Sequence, residues 1–210
     1  MTEKQSILCF GDSLTSGYFS YGLEYHSYAI KLSEILEKEF GIRKFTLDVD
    51  GRPGDLVVLP QGSFLSRIQA KCSKKKYDWV IILGGTNDLG YGYQGDIIYN
   101  ALKDCWDVAL ATGAKVLALT VPECEVKSQS LDAKRDTLNQ HILTHQAERF
   151  YTVDLHSKIP YHASSTRFQE EMFDDGLHLT AKGYDLMGTV VGKRLVSLIK
   201  EAEKEAEAEA

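Results

Sequence analysis

Two short runs constrain this chain more than any other feature. Trp79-Val-Ile-Ile-Leu83 is apolar at every position, and Lys115–Val121 is nearly so until Pro122 ends it. A strand with one face in water alternates apolar and polar residues; a strand with no polar parity must be covered on both faces. Such strands belong to parallel sheets, whose crossover connections lay helices on either side. Ser6–Phe10 is a third apolar run, followed by Gly11, and Phe45–Asp50 and Phe150–Leu155 complete a set of five. Between them apolar residues recur at helical spacing. Tyr25, Ala29, Leu32, Leu36 and Phe40 form one stripe, closed by Gly41. Ile98, Ala101, Leu102, Cys105, Val108 and Ala109 form a second, before Gly113. Leu131, Leu138, Ile142 and His145 form a weaker one, and Tyr184, Met187, Val191, Leu195 and Leu198 the last. Phe64–Cys72 reads as a short helix. Five strands alternating with helices predict a three-layer α/β/α sandwich on a five-stranded parallel sheet.

A chain of 210 residues suits one such domain, expected over residues 1–200. Residues 201–210 are a Glu/Ala tail, read as a frayed helix end or disordered chain. The net charge of −6 argues against nucleic acid as a partner, because phosphate binding rewards clustered Lys and Arg. No apolar run reaches the ~18 residues of a membrane-spanning helix, so no stable membrane anchor is expected. The start of the chain lacks the charged-then-apolar pattern of a signal peptide, which makes a cytoplasmic address the expectation. Cys9, Cys72, Cys105 and Cys124 show no close-paired spacing and are expected as free thiols.

In a parallel α/β sheet, ligands bind at the loops leaving the carboxyl ends of the strands. Three segments at such places hold reactive side chains. After the first strand comes Gly11-Asp12-Ser13-Leu14. Ser13 is placed to be a nucleophile, and equally to be a helix cap or turn residue. After the third strand comes Gly84-Gly85-Thr86-Asn87-Asp88, where the Asn87 amide is able to stabilise an oxyanion or simply to cap a turn. Before the last helix comes Asp175-Gly176-Leu177-His178. A spacing of three sets carboxylate beside imidazole, and a carboxylate on Nδ1 leaves Nε2 free to take a proton from serine. Together the three supply a nucleophile, an oriented base and an oxyanion donor, the parts that acyl transfer requires.

These blocks resemble those of the SGNH, or GDSL, hydrolases. Gly11-Asp12-Ser13-Leu14 is similar to their first block, Gly85-Thr86-Asn87-Asp88 to their G-x-N-D block and Asp175-Gly176-Leu177-His178 to their D-x-x-H block. The order and spacing match across nearly the whole chain. The resemblance implies a flavodoxin-like sandwich, the SGNH hydrolase fold. It implies a Ser13–His178–Asp175 triad and an oxyanion hole of the Ser13 N–H, a glycine N–H and Asn87. Asp50-Gly51-Arg52-Pro53-Gly54-Asp55 follows the second strand and would supply that glycine. Gly54 matches better than Gly51, although Arg52-Pro53 departs from the commoner pattern.

Other signals weigh less. Gly90-Tyr91-Gly92-Tyr93-Gln94-Gly95 satisfies G-x-G-x-x-G but does not directly follow its strand, and no acidic strand end follows at the required distance. His141 and His145 lack the glutamate of a metalloprotease helix. His26, His156 and His162 have no evident acidic partner, and His156 lies nearest a strand end. Cys124 follows the fourth strand and would border the site. Tyr18, Phe19, Tyr91 and Val121 are candidates for the substrate pocket.

The expected activity is hydrolysis of carboxylic esters, small or short in the acyl part, through an acyl-enzyme. No metal and no organic cofactor are implied, and the expected partner is a small-molecule ester. A carbohydrate O-deacetylase, thioesterase or lysophospholipase of the same fold is the alternative, since one triad serves them all. A non-catalytic flavodoxin-like binding protein is the weaker one. Oligomeric state is not legible in the sequence.

Overall fold

The computed structural model describes residues 4–42 and 44–208. In chain order the elements are β1 Gln5–Gly11, α1 Ser13–Ser16, β2 Tyr18–Phe19, a 3-10 turn at Ser20–Gly22, β3 Glu24–Tyr25, α2 Ala29–Phe40, β4 Phe45–Gly51 and α3 Phe64–Lys74. Then come β5 Trp79–Leu83, α4 Thr86–Gly90, α5 Gly95–Ala111, β6 Lys115–Leu119, α6 Gln129–Thr144, β7 Phe150–Val153, α7 Leu155–Lys158, α8 Thr166–Met172 and α9 Ala181–Ala208. Five strands form one sheet in the order β4-β1-β5-β6-β7, and every neighbouring pair is parallel. Counting only these five, the order is the doubly wound 2-1-3-4-5 of flavodoxin-like folds.

The unbroken apolar runs have a direct structural reason. Ile7 and Cys9 of β1, Trp79, Ile81 and Leu83 of β5, and Leu117 and Leu119 of β6 point into one core. Leu8 and Phe10, Val80 and Ile82, and Val116 and Ala118 point into the other. Leu32 and Leu36 of α2 and Tyr184, Met187, Val191 and Leu195 of α9 close the first core. Phe64 and Ile68 of α3, Ile98, Leu102 and Trp106 of α5, and Leu138 and Ile142 of α6 close the second. Each leucine-sized side chain so buried contributes about 1.5–3 kcal/mol.

One expectation needs correction. Tyr25 belongs to a short antiparallel hairpin, β2–β3, and not to the helix that begins at Ala29. Its spacing fits the helical stripe, but Tyr28 and Ala29 are the first residues on that side to reach the core. The Glu/Ala tail continues α9 as helix to Ala208, and residues 209–210 lie outside the described residues. Among the described residues no helix is long and apolar enough to cross a membrane. All four cysteines are unpaired, with Cys9, Cys105 and Cys124 buried.

Candidate active site

The turn that carries Ser13 is built by close approach. At the carboxyl end of β1, Gly11 pairs with Gly51 on one side and Leu83 on the other. A Cβ on Gly11 would lie 2.2 Å from Thr15 Oγ1, and one on Gly51 would lie 2.1 Å from the Ser16 nitrogen. Only glycines let the chain fold back this tightly. Asp12 then caps the four-residue helix α1 by accepting the Leu14 N–H at 2.9 Å. Ser13 follows at the first helical position, almost fully buried. Asp12 is entirely buried, and burial pushes its carboxyl up to about 7, with the nearby carboxylates of Asp88 and Asp55 adding to the rise.

The segment before α9 brings Asp175 and His178 from the far end of the chain. Phe173 bridges Leu179, and Asp174 N–H donates to the His178 carbonyl at 2.8 Å, which folds residues 173–179 into a tight loop. Asp175 Oδ1 accepts the N–H groups of Leu177 (3.0 Å) and His178 (2.7 Å), while Oδ2 lies 2.8 Å from His178 Nδ1. His178 Nε2 lies 3.0 Å from Ser13 Oγ. Partial burial raises the Asp175 carboxyl, but the His178 ring and the two backbone donors outweigh it and hold the group below the usual range. With an anionic carboxylate on Nδ1, that nitrogen keeps its proton and Nε2 accepts from the Ser13 hydroxyl.

A third network fixes the donors opposite. The Asn87 amide donates one N–H to the Asp55 carbonyl at 2.8 Å, which orients it. Asp88, wholly buried, accepts from the Val57 and Val58 N–H groups and ties the loop after β4 to the start of α4. Burial raises its carboxyl, against the lowering effect of those bonds. Asp55 accepts from the Leu56 and Ser63 N–H groups and from Arg67 Nη1 at 2.5 Å. Arg67 also donates to the Gly11 carbonyl and to Asp50, and its guanidinium lies 4.6 Å from the Phe10 ring centre. Gly54 is exposed, with φ at +76°. Among the described residues neither the Gly54 nor the Ser13 N–H has a partner in the chain. Asp88 and Asp55 lie in the blocks quoted from the sequence and Arg67 in none, but the joining role of all three appears only in the contacts.

A cavity of about 580 Å³ opens beside this arrangement. Asn87 and Asp175 border it together with Leu89, Tyr91, Val121, Val126 and Leu131. Tyr91 and Val121, two of the pocket candidates, line this cavity. Tyr18 and Phe19 do not line this cavity. Phe19 packs against the core on the α2–α9 side, and the Tyr18 ring lies against His178. Cys124 does border the cavity, and its Sγ accepts from the buried Arg135 at 3.3 Å. Asn139 holds the start of that wall, accepting the Val121 N–H and donating to the Val121 carbonyl. Three of the other histidines have separate partners: His26 lies 2.9 Å from Asp185, His145 accepts from or donates to Tyr99, and His156 lies 3.8 Å from Glu123. The glycines at 90–95 span the turn between α4 and α5. Among the described residues no cluster of His, Cys, Asp and Glu side chains is arranged to hold a metal ion.

The fold and these loops define a class of protein. Residues 9–186 match the GDSL-like lipase/acylhydrolase family, and the chain belongs to it. That membership makes it a carboxylic ester hydrolase with the SGNH hydrolase fold. No curated protein matches the chain. Among solved structures it is similar to a carbohydrate esterase family 3 protein from Talaromyces cellulolyticus (16% identity, 94% of this chain and 99% of that one, TM-score 0.74). It is also similar to a lipase/acylhydrolase from Enterococcus faecalis (21%, 91% and 95%, 0.71). A third is a lipolytic G-D-S-L family protein from Veillonella parvula (22%, 88% and 94%, 0.68). At these identities the likeness is one of fold.

Proposed function

We propose that the chain hydrolyses esters through an acyl-enzyme formed on Ser13. The observation that carries this reading is the continuous line from Asp175 Oδ2 to His178 Nδ1 and from His178 Nε2 to Ser13 Oγ, at 2.8 and 3.0 Å. His178 takes the proton as Ser13 Oγ attacks the ester carbonyl, and Asp175 steadies the imidazolium. The N–H groups of Ser13 and Gly54 and the free amide N–H of Asn87 receive the negative charge that develops on the carbonyl oxygen. His178 then gives its proton to the leaving alcohol. A water molecule, deprotonated by the same imidazole, releases the acid and restores Ser13.

The cavity favours a substrate larger than an acetyl ester. Its volume of about 580 Å³ falls in the range of ordinary small-molecule sites, and Leu89, Val121, Val126, Leu131 and Leu177 give it apolar walls. A medium-length acyl or aryl group is therefore the better fit, longer than the sequence alone suggests, and a sugar deacetylase the poorer one. The test is a chain-length series of p-nitrophenyl esters on wild type and Ser13→Ala. Wild type should prefer chains longer than acetate. Ser13→Ala should lose turnover and labelling by a fluorophosphonate while keeping its melting temperature, and activity above a few per cent would refute the serine mechanism.

A further inference from the structure

His178 is held at two points only along its reactive axis. Asp175 engages Nδ1 and Ser13 engages Nε2, and two bonds at opposite sides of a ring leave it free to tilt about the line between them. A contact off that line must fix the tilt. The Tyr18 ring supplies one, with its centre 4.6 Å from that of the imidazole and the planes inclined at 48°.

Tyr18 is itself held from several directions. Its carbonyl accepts from the hydroxyl of Tyr184, a fully buried residue, at 2.8 Å. Tyr25, paired with it across the hairpin, packs edge-on to its ring at 5.9 Å. Gly22 backs the same ring so closely that a Cβ there would lie 2.7 Å from Tyr18 Cε2. The hairpin tip runs through three consecutive left-handed residues, Ser20, Tyr21 and Gly22, an arrangement that persists only when its surroundings impose it. One such restraint is visible: the Ser20 N–H donates to Asp174 Oδ2 at 2.7 Å, next to the triad aspartate. The hairpin thus grips the acid–base loop at two places, Asp174 and His178. Among the described residues the Tyr18 hydroxyl has no partner, so the aromatic face is the part in use.

We propose that Tyr18 is a positioning residue, and that the β2–β3 hairpin is a clamp that sets the tilt of His178 toward Ser13. This rests on the Ser13–His178 reading above. It assigns the hairpin to turnover and not to substrate affinity, since the contact Tyr18 makes at the site is with the His178 ring.

Steady-state kinetics on p-nitrophenyl butyrate test it, with melting temperatures and Ser13→Ala run alongside. Tyr18→Ala should lower kcat by about ten-fold or more while KM stays within about two-fold, because a loosely held base spends less time in the reactive geometry. Tyr18→Phe should restore kcat. Asp174→Ala should lower kcat less, and adding it to Tyr18→Ala should cost little more, because both act through one clamp. If Tyr18→Ala does not fold, Tyr18→Leu takes its place under the same criteria. Unchanged kcat in Tyr18→Ala, a change confined to KM, or a Tyr18→Phe variant as impaired as Tyr18→Ala overturns the proposal. An active Ser13→Ala removes the serine mechanism itself; an inactive one beside an unimpaired Tyr18→Ala removes only the clamp.

Discussion

The two halves of the candidate triad are built in opposite ways. The nucleophile turn is part of the core: Asp12 and Thr15 are fully buried, Ser13 nearly so, and glycines on two strands make room for them. The acid–base loop lies at the surface, with Asp174 and Asp175 exposed. Its shape comes from a few hydrogen bonds around Asp175 and from the hairpin leaning on it. Fixing a nucleophile in the core ties its geometry to global stability. Fixing a base with local bonds leaves it sensitive to changes that the fold tolerates. Activity and stability should therefore separate in the loop, and in the turn they should travel together wherever a substitution disturbs the packing and does not merely remove the Ser13 hydroxyl.

The largest expected effect falls on the loop. Asp175→Asn keeps the shape but removes the charge that holds the imidazole tautomer, and kcat should fall on the order of 10³-fold or more. Because the residue is exposed, urea unfolding at pH 7 should show a much smaller change; equal losses of both would break the distinction. Next comes Asn87→Ala on the inner side, which should cost on the order of 10²-fold, mainly in kcat. A change seen only in KM would remove Asn87 from the oxyanion hole.

The smallest effect is the most diagnostic, because the two aspartates respond to pH with opposite sign. Burial holds the Asp12 carboxyl at about 7, so the folded chain keeps a proton that the unfolded chain has already lost. That group makes the protein less stable as pH rises from the ordinary carboxylate range to about 7. Asp175 is held low, so its contribution is present at neutral pH and is lost as pH falls through the carboxylate range. Asp12→Asn retains an oxygen for the Leu14 N–H but cannot ionise. Chemical denaturation at pH 5 and pH 7 should show a smaller loss of stability toward pH 7 in this variant than in wild type. Identical slopes would mean that Asp12 is not a buried acid.

Much of the fold is legible in the sequence. The apolar runs at Trp79–Leu83 and Lys115–Val121 led to the sheet because a strand covered on both faces leaves no other pattern. Ser13, Asn87, Asp175 and His178 stood out because each lies where a parallel sheet gathers its loops. Tyr18 stood out only as a pocket candidate, since an aromatic that packs on a histidine ring looks in sequence like any other aromatic. Asp88 and Asp55 fell inside quoted blocks, but their role and that of Arg67 did not show: they join loops distant in sequence, and no local spacing records that. Tyr25 misled because a helical stripe extends by one residue as easily over a hairpin as over a turn of helix.

The grip of Asn139 on Val121 bears on how such a chain changes over generations. The side chain bonds both backbone groups of Val121, so it holds the main chain whatever the residue there. Downstream, Cys124, Glu125, Val126 and Leu131 line the cavity, and neither Ser13 nor His178 does. Substitutions in that stretch can resize the cavity without touching the reacting groups. Inheritance can thus hold the chemistry constant while the substrate drifts, and close relatives sharing these reacting groups need not share an ester.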